Sequence, residues 1–261
     1  MVLQTRPAYG FLTDATLCIG CKACEVACKQ WNQLPGDSSA GLLELTGFSY
    51  DNTIDLGANT WRHVAFVERP TANGVAWLML SDVCKHCVHA GCLDACPTGA
   101  LFRTEFGTVV VQPDVCNGCG YCVVACPFGV LDQRKDDGRV WKCTLCYDRL
   151  KGGEEPACAK ACPTGSIQFG PLDELRARAD RRLETVRVSG EERAHLYGAD
   201  PADGVGGTGA FFLLTDDAEV YGLPPDPVVT TRHLPGIWKS AGVAAGALVA
   251  GIAVSLIGAR R

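Results

Sequence analysis

Apolar and polar positions alternate along this chain in short runs. Leu101 to Arg103 and Val109 to Gln112 read as two strands of a hairpin around Glu105-Phe106-Gly107. Arg62 to Glu68 and Ala76 to Leu80 read as another, turning through Thr71-Ala72-Asn73-Gly74. Val130 to Gln133 and Val140 to Lys142 flank Asp136-Asp137-Gly138, and a further strand begins at Ile167 to Phe169. Leu172 to Val186 is charged at most positions but carries Leu172, Leu175 and Leu183 on one side, the pattern of a surface helix. Pro35 to Thr60, rich in Gly, Ser, Asp and Asn, reads as an insertion loop. Gly204 to Gly209 reads as a flexible joint, and Leu223 to Pro235, with four prolines, as an extended linker. The far end changes character: Ser240 to Ala259 is twenty residues without a charge.

Composition adds one abnormal number. The chain has 261 residues, is 47% hydrophobic and has a net charge of −5, which gives no reason to expect nucleic acid as a partner. It also has 16 cysteines. Dense cysteines mean either a disulfide framework or metal ligation. Disulfides staple small secreted domains that lack a core, and this chain has apolar residues enough for one. The first eleven residues contain no apolar stretch of the secretory kind.

The cysteines fall into four groups: Cys18, Cys21, Cys24, Cys28; Cys84, Cys87, Cys92, Cys96; Cys116, Cys119, Cys122, Cys126; and Cys143, Cys146, Cys158, Cys162. Echoes extend beyond them, as in CLDACPTGA, CVVACPFGV and CAKACPTGS, which points to duplication of one small unit. Groups one and three fit C-x2-C-x2-C-x3-C, and Pro127 completes the ferredoxin run in the third. Groups two and four widen one gap but keep the x3 step and the proline, Pro97 and Pro163. Three thiolates on a tight loop reach three iron corners of one cubane, and the fourth points to a neighbouring cluster. Proline then ends the helical stretch. Group one has Lys29 instead, so its helix is expected to run on through Gln30 and Trp31. Structural zinc also uses C-x2-C pairs, but not with a third cysteine two residues on and a closing Cys-Pro. Cysteines two apart on one loop are poorly placed for disulfides between distant segments.

The short link between groups two and three favours pairing them, which leaves one with four; the sequential pairing, one with two and three with four, stays open. His86 and His89 beside Cys87 have the chemistry to tune a potential by hydrogen bonding, but read as plain surface or loop histidines. Trp31, Trp61 and Trp141 read as packing around clusters. No nucleophile–base pair, phosphate loop or carboxylate dyad is visible, so no catalytic residue is assigned.

At ~1.5 Å per residue the apolar end covers about 30 Å, the hydrocarbon thickness of a bilayer. Gly242 and Gly246 form G-x-x-x-G, and Gly251 with Ser255 continues the small-residue face, as suits close packing against other transmembrane helices. Arg232 and Lys239 before it balance Arg260 and Arg261 after it, so charge does not decide orientation.

The sequence resembles the iron–sulfur (beta) subunit of membrane-bound respiratory formate dehydrogenase, within the wider four-cluster subunits of molybdopterin oxidoreductases. The matching stretches are DATLCIGCKACEVACKQWN at 14–32, CNGCGYCVVACPFGV at 116–130, KCTLCYDRL at 142–150, GVGGTGAFFLL at 204–214 and VYGLPPDP at 220–227. The resemblance implies an α+β fold of two ferredoxin-like 4Fe–4S domains related by pseudo-symmetry, plus one C-terminal transmembrane helix. Residues 1–80 and 140–203 would form the first domain, 81–139 the second, 204–239 an extended tail and 240–259 the membrane helix. It implies four 4Fe–4S clusters with nested ligands: Cys18, Cys21, Cys24 and Cys162; Cys143, Cys146, Cys158 and Cys28; Cys84, Cys87, Cys92 and Cys126; Cys116, Cys119, Cys122 and Cys96. The implied partners are a molybdenum- or tungsten-pterin catalytic subunit and a membrane cytochrome b that passes electrons to quinone. The implied location is the outer face of the cytoplasmic membrane. A beta subunit serving a hydrogenase or sulfur-compound reductase, or a soluble polyferredoxin-like carrier, is the alternative; the apolar helix argues against the carrier.

Overall fold

The computed structural model describes residues 7–36, 55–71 and 74–258. Most of the expected insertion loop, the Ala72-Asn73 turn and the Arg260-Arg261 flank lie outside the described residues.

A four-stranded sheet anchors the chain. Its strands are β1 (Tyr9–Asp14), β8 (Ile167–Pro171), β9 (His195–Tyr197) and β10 (Ala210–Leu214), in the order β8-β1-β10-β9. β1 runs parallel to β10 and antiparallel to β8. Both faces of the two central strands are covered, so β10 is a continuous apolar run and β1 is buried from Gly10 to Asp14, its polar Thr13 and Asp14 included. Leu12, Phe211 and Leu213 face Leu172, Leu175, Ala179 and Val186 of helix α6 (Leu172–Val188). Phe212 and Leu214 pack on Leu80, Tyr197, Tyr221 and Leu223, while Phe11 joins the cluster that holds the cysteines. The expected apolar side of α6 is thus real, with Ala179 and Val186 added to it.

Gly204 to Gly209 is not a flexible joint. Val205 is wholly buried, and the carbonyls of Val205 and Gly207 accept from the amides of His89 and Val88. Glycine is required where this segment meets β1: a Cβ on Gly10 would lie 2.0 Å from the Gly209 carbonyl oxygen. The expected extended tail therefore contains a core strand, β10. The proline-rich stretch after it is also tied down, since Leu223 and Val229 are buried.

Three antiparallel hairpins carry the remaining strands: β2 (Arg62–Thr71) with β3 (Gly74–Val83), β4 (Leu101–Arg103) with β5 (Val109–Val111), and β6 (Asp132–Gln133) with β7 (Val140–Trp141). The first is longer than its apolar alternation suggests and the third shorter. Short helices carry the third cysteine of each group, namely α1 (Ala23–Trp31), α2 (Gly91–Asp94), α3 (Tyr121–Val124) and α5 (Ala157–Lys160), and α4 (Tyr147–Lys151) starts directly after Cys146. α1 packs on α5, and α2 on α3. Without a proline after Cys28, α1 continues through Gln30 and Trp31, whereas α2, α3 and α5 end before their Cys-Pro step.

The last helix, α7 (Leu234–Gly258), starts six residues before the uncharged run, with Pro235 in its first turn, where a missing amide hydrogen is harmless. Its segment Gly236–Ile257 has mean hydropathy 2.1, is long enough to cross a membrane and is not buried against the rest of the chain.

Candidate iron–sulfur sites

The tight loops depend on left-handed backbone. In group one Gly20 and Lys22 have φ of 65° and 57°; in group three Gly118 and Gly120 have 71° and 73°. A Cβ on Gly118 would lie 2.3 Å from the Gly138 carbonyl oxygen, so this loop admits no side chain there. A 3-10 turn leads into each: Ala15–Leu17, capped by the Asp14 carboxylate accepting from the Thr16 amide at 2.9 Å, and Pro113–Val115.

Two cavities form where distant groups meet. One is lined by Cys18, Cys21, Cys24 and Cys162, with Ser81 and Ile167. The other is lined by Cys28, Cys143, Cys146 and Cys158, with Phe11, Trp61 and Arg62. In the other half, Cys87 feels the charges of Cys84, Cys126 and Cys92, and Cys122 those of Cys96, Cys116 and Cys119. Every one of the sixteen thus stands with three others, and each foursome takes three from one group and one from its partner. The sets also approach one another: Cys24 lies near Cys158, Cys143 near Cys84, and Cys92 near Cys122.

All sixteen are free thiols. Among the described residues, no three His, Cys, Asp or Glu side chains converge as a single metal ion requires. The thiols instead ring a space, which is the arrangement a cubane needs. Burial drives their acidity down: the thiols of Cys24 and Cys146 are pushed up to about 11 and that of Cys92 to about 12, while Cys28, Cys87 and Cys143 are also raised. Such buried thiolates need cationic iron or another positive charge beside them. Cys96 and Cys162 go the other way. Burial raises them, but the backbone of Leu101 or Ile167, the hydroxyl of Thr98 or Thr164, and further amides take them below the usual thiol value. That nest is built by the Cys-Pro-Thr-Gly turn.

Comparison with known proteins agrees with this chemistry. A family model described as a 4Fe-4S dicluster domain matches residues 75–172, and one described as a 4Fe-4S binding domain matches residues 15–31. The formate dehydrogenase iron-sulfur subunit of Haemophilus influenzae is 43% identical over 232 residues, 87% of this chain and 72% of that one. The nitrate-inducible formate dehydrogenase iron-sulfur subunit of Escherichia coli is 42% identical over 234 residues, 88% of this chain and 76% of its own. The protein belongs to the formate dehydrogenase iron–sulfur subunit family. A subunit of the anaerobic dimethyl sulfoxide reductase of Escherichia coli is also similar, 39% identical over 191 residues, 72% of this chain and 84% of that one. As a member of this family, the protein is an electron-transfer subunit with 4Fe–4S domains rather than a catalyst.

Several buried polar and aromatic residues stand around the thiols, and cysteine spacing does not record them. His86 is not a surface histidine: it is 3% exposed, its Nδ1 accepts from the Val109 amide at 3.1 Å, and its Nε2 has no partner. Burial holds it well below the usual histidine range, with Lys142 and Arg103 nearby. His89 is exposed, as expected. Trp61 lines the second cavity and stacks on Trp141, centroids 6.4 Å apart, while Trp31 lies outside, its ring under the Arg149 guanidinium. Buried cations accompany the thiols. Lys85 and Lys142 directly adjoin Cys84 and Cys143, so adjacency could have flagged them; Arg62 is distant in sequence from every cysteine.

Proposed function

We propose that this subunit conducts electrons through four 4Fe–4S clusters in series, from a molybdenum- or tungsten-pterin catalytic subunit that oxidises formate to a membrane cytochrome b and quinone. The observation that carries the reading is the pair of cavities, each ringed by four thiols drawn from two segments far apart in the chain. Cys18, Cys21, Cys24 and Cys162 would hold the first cluster and Cys28, Cys143, Cys146 and Cys158 the second. Cys84, Cys87, Cys92 and Cys126 would hold the third, and Cys96, Cys116, Cys119 and Cys122 the fourth. A bound cluster takes up and releases one electron at a time. The protein excludes water, supplies thiolates and sets the local charge.

The pairing of α1 with α5 and of α2 with α3 supports two ferredoxin-like domains related by pseudo-symmetry. The first comprises residues 1–80 and 140–203, and the second residues 81–139. β10 (Ala210–Leu214) adds a strand to the first domain's sheet from beyond residue 203, so that domain extends to residue 214 and the tail proper begins after it. α7 crosses the membrane once, and the domains stand on the outer face. The formate dehydrogenase relatives match a longer share of this chain than the dimethyl sulfoxide reductase relative, which favours formate as the partner's substrate.

Metal analysis tests this directly. Iron and acid-labile sulfide should each approach about sixteen per chain, four for each cluster. Zinc at one or two per chain with little iron would sink the cluster reading. Formate-dependent quinone reduction should require the large subunit that copurifies. Formate oxidation by the pure chain would overturn the division of labour.

A further inference from the structure

Arg62, the first residue of β2, is 1% exposed, yet among the described residues no carboxylate pairs with it. Its Nη1 donates to the Ser81 carbonyl oxygen at 3.2 Å and to the Ser81 hydroxyl oxygen at 3.0 Å. Its guanidinium carbon lies 4.8 Å from the centre of the Phe11 ring. Its Nε and Nη2 are buried without a hydrogen-bond partner. A guanidinium left this way is costly unless an anion faces it. The anions within reach are thiolates from both cavities: Cys24 of the first, and Cys28, Cys143 and Cys158 of the second. Arg62 lines the second cavity and Ser81 the first, so the pair stands in the wall between them.

Ser81 gives the arrangement a direction. Its hydroxyl oxygen accepts from Arg62 and also lies 3.2 Å from the Cys24 Sγ. Because guanidinium can only donate, the Ser81 proton is left to point at sulfur. We infer that Arg62 is the shared counter-charge of the first two clusters and that, through Ser81, it fixes a hydrogen bond on Cys24, so that this one pair sets the potentials of both. The inference rests on the cluster assignment proposed above. Reduction adds negative charge to a cluster, so a fixed cation and a donor to the ligating sulfur both favour the reduced form. One cation between two clusters favours reduction of each. It also offsets their mutual repulsion when both carry an electron. Arg62 acts as a positioning and electrostatic residue and need not change protonation.

The test is an electron-paramagnetic-resonance redox titration of the full membrane complex, with iron and sulfide measured on the same samples. Signals are assigned with Cys21→Ser for the first cluster and Cys146→Ser for the second. Arg62→Met should lower the potential of both by at least a tenfold change in the oxidised-to-reduced ratio, about 59 mV for a one-electron couple. Arg62→Lys keeps the charge without the fork and should lower them less. Ser81→Ala should lower the first and leave the second in place. Clusters three and four should not move in any of these. Full iron with unchanged potentials in Arg62→Met would overturn the inference. If Arg62→Met fails to assemble clusters, Ser81→Ala decides. A drop confined to the first cluster supports the relay, and an unmoved first cluster at full iron overturns it. A native complex with far less than sixteen irons would instead refute the cluster assignment itself, before any variant is compared.

Discussion

An arginine at Gly246, near the middle of α7, should detach the subunit from the membrane. The segment Gly236–Ile257 has a mean hydropathy of 2.1 and contains eight Leu, Ile or Val side chains, most of its other residues being alanine and glycine. At about −0.3 to −0.6 kcal/mol each near a bilayer centre, those eight contribute roughly −2 to −5 kcal/mol. That is a marginal anchor, because alanine and glycine add little. An arginine at the centre costs about 2.5–3.5 kcal/mol, enough to cancel most of it and shift partitioning on the order of a hundredfold. The assay is carbonate extraction of membranes, followed by iron analysis of the released complex. Gly246→Arg should appear in the supernatant with its iron intact, since no cavity residue lies on α7. Gly246→Leu separates anchoring from docking. It should stay in the membrane at least as firmly, yet lose the membrane subunit in mild detergent, because a leucine prevents close helix approach. Retention of Gly246→Arg at the native level, with normal quinone reduction, would show that α7 does not hold this subunit in the bilayer.

Other outcomes follow from named contacts. Cys28→Ser should perturb the cluster of Cys143, Cys146 and Cys158 and spare that of Cys18, Cys21 and Cys24; resonance spectra of the variant decide, and a loss of the latter signal would refute the exchange of fourth ligands. Gly10→Ala should destabilise by about 1–3 kcal/mol, read as a lower melting temperature, because the added carbon meets the Gly209 carbonyl at 2.0 Å. Phe211→Ala should cost about 3–5 kcal/mol by emptying a fully buried site between the sheet, at β10, and α6.

The chemistry was more legible in the sequence than the scaffold. Cysteine spacing states its own geometry, because a thiolate two residues from the next can only share a compact centre with it. The absence of proline after Cys28 likewise foretold a longer helix. β10 was hidden for a physical reason. Ala210 to Leu214 is a short apolar run next to glycines, and only its pairing with β1, almost two hundred residues earlier, makes it a strand. The glycines at 204 to 209 looked like freedom but are there because backbone packs on backbone. Arg62 and His86 were unreadable because burial of a polar residue comes from tertiary contacts that no local pattern records.

The two kinds of core predict how the chain responds to loss of iron. Residues of the sheet's far face and α6, namely Leu12, Phe211, Leu213, Leu172, Leu175, Ala179 and Val186, pack without any cysteine. The other core mixes Phe11, Trp61, Val64 and Leu145 with the thiols themselves. Without clusters the second core keeps its cavities, its raised thiols and a buried Arg62 facing no anion. Binding free energy of a cofactor that the unfolded chain cannot hold is folding free energy, so stripping it should weaken this half selectively. Hydrogen exchange on the protein after chelation should show protection lost across α1, α2, α3 and α5 and the loops before them. The amides of β1, β10 and α6 should exchange as slowly as before. Uniform loss of protection in both regions would mean that the sheet and α6 have no stability of their own. Undiminished protection in the cysteine loops would mean that the clusters do not hold them, against the pairing of distant groups around common centres.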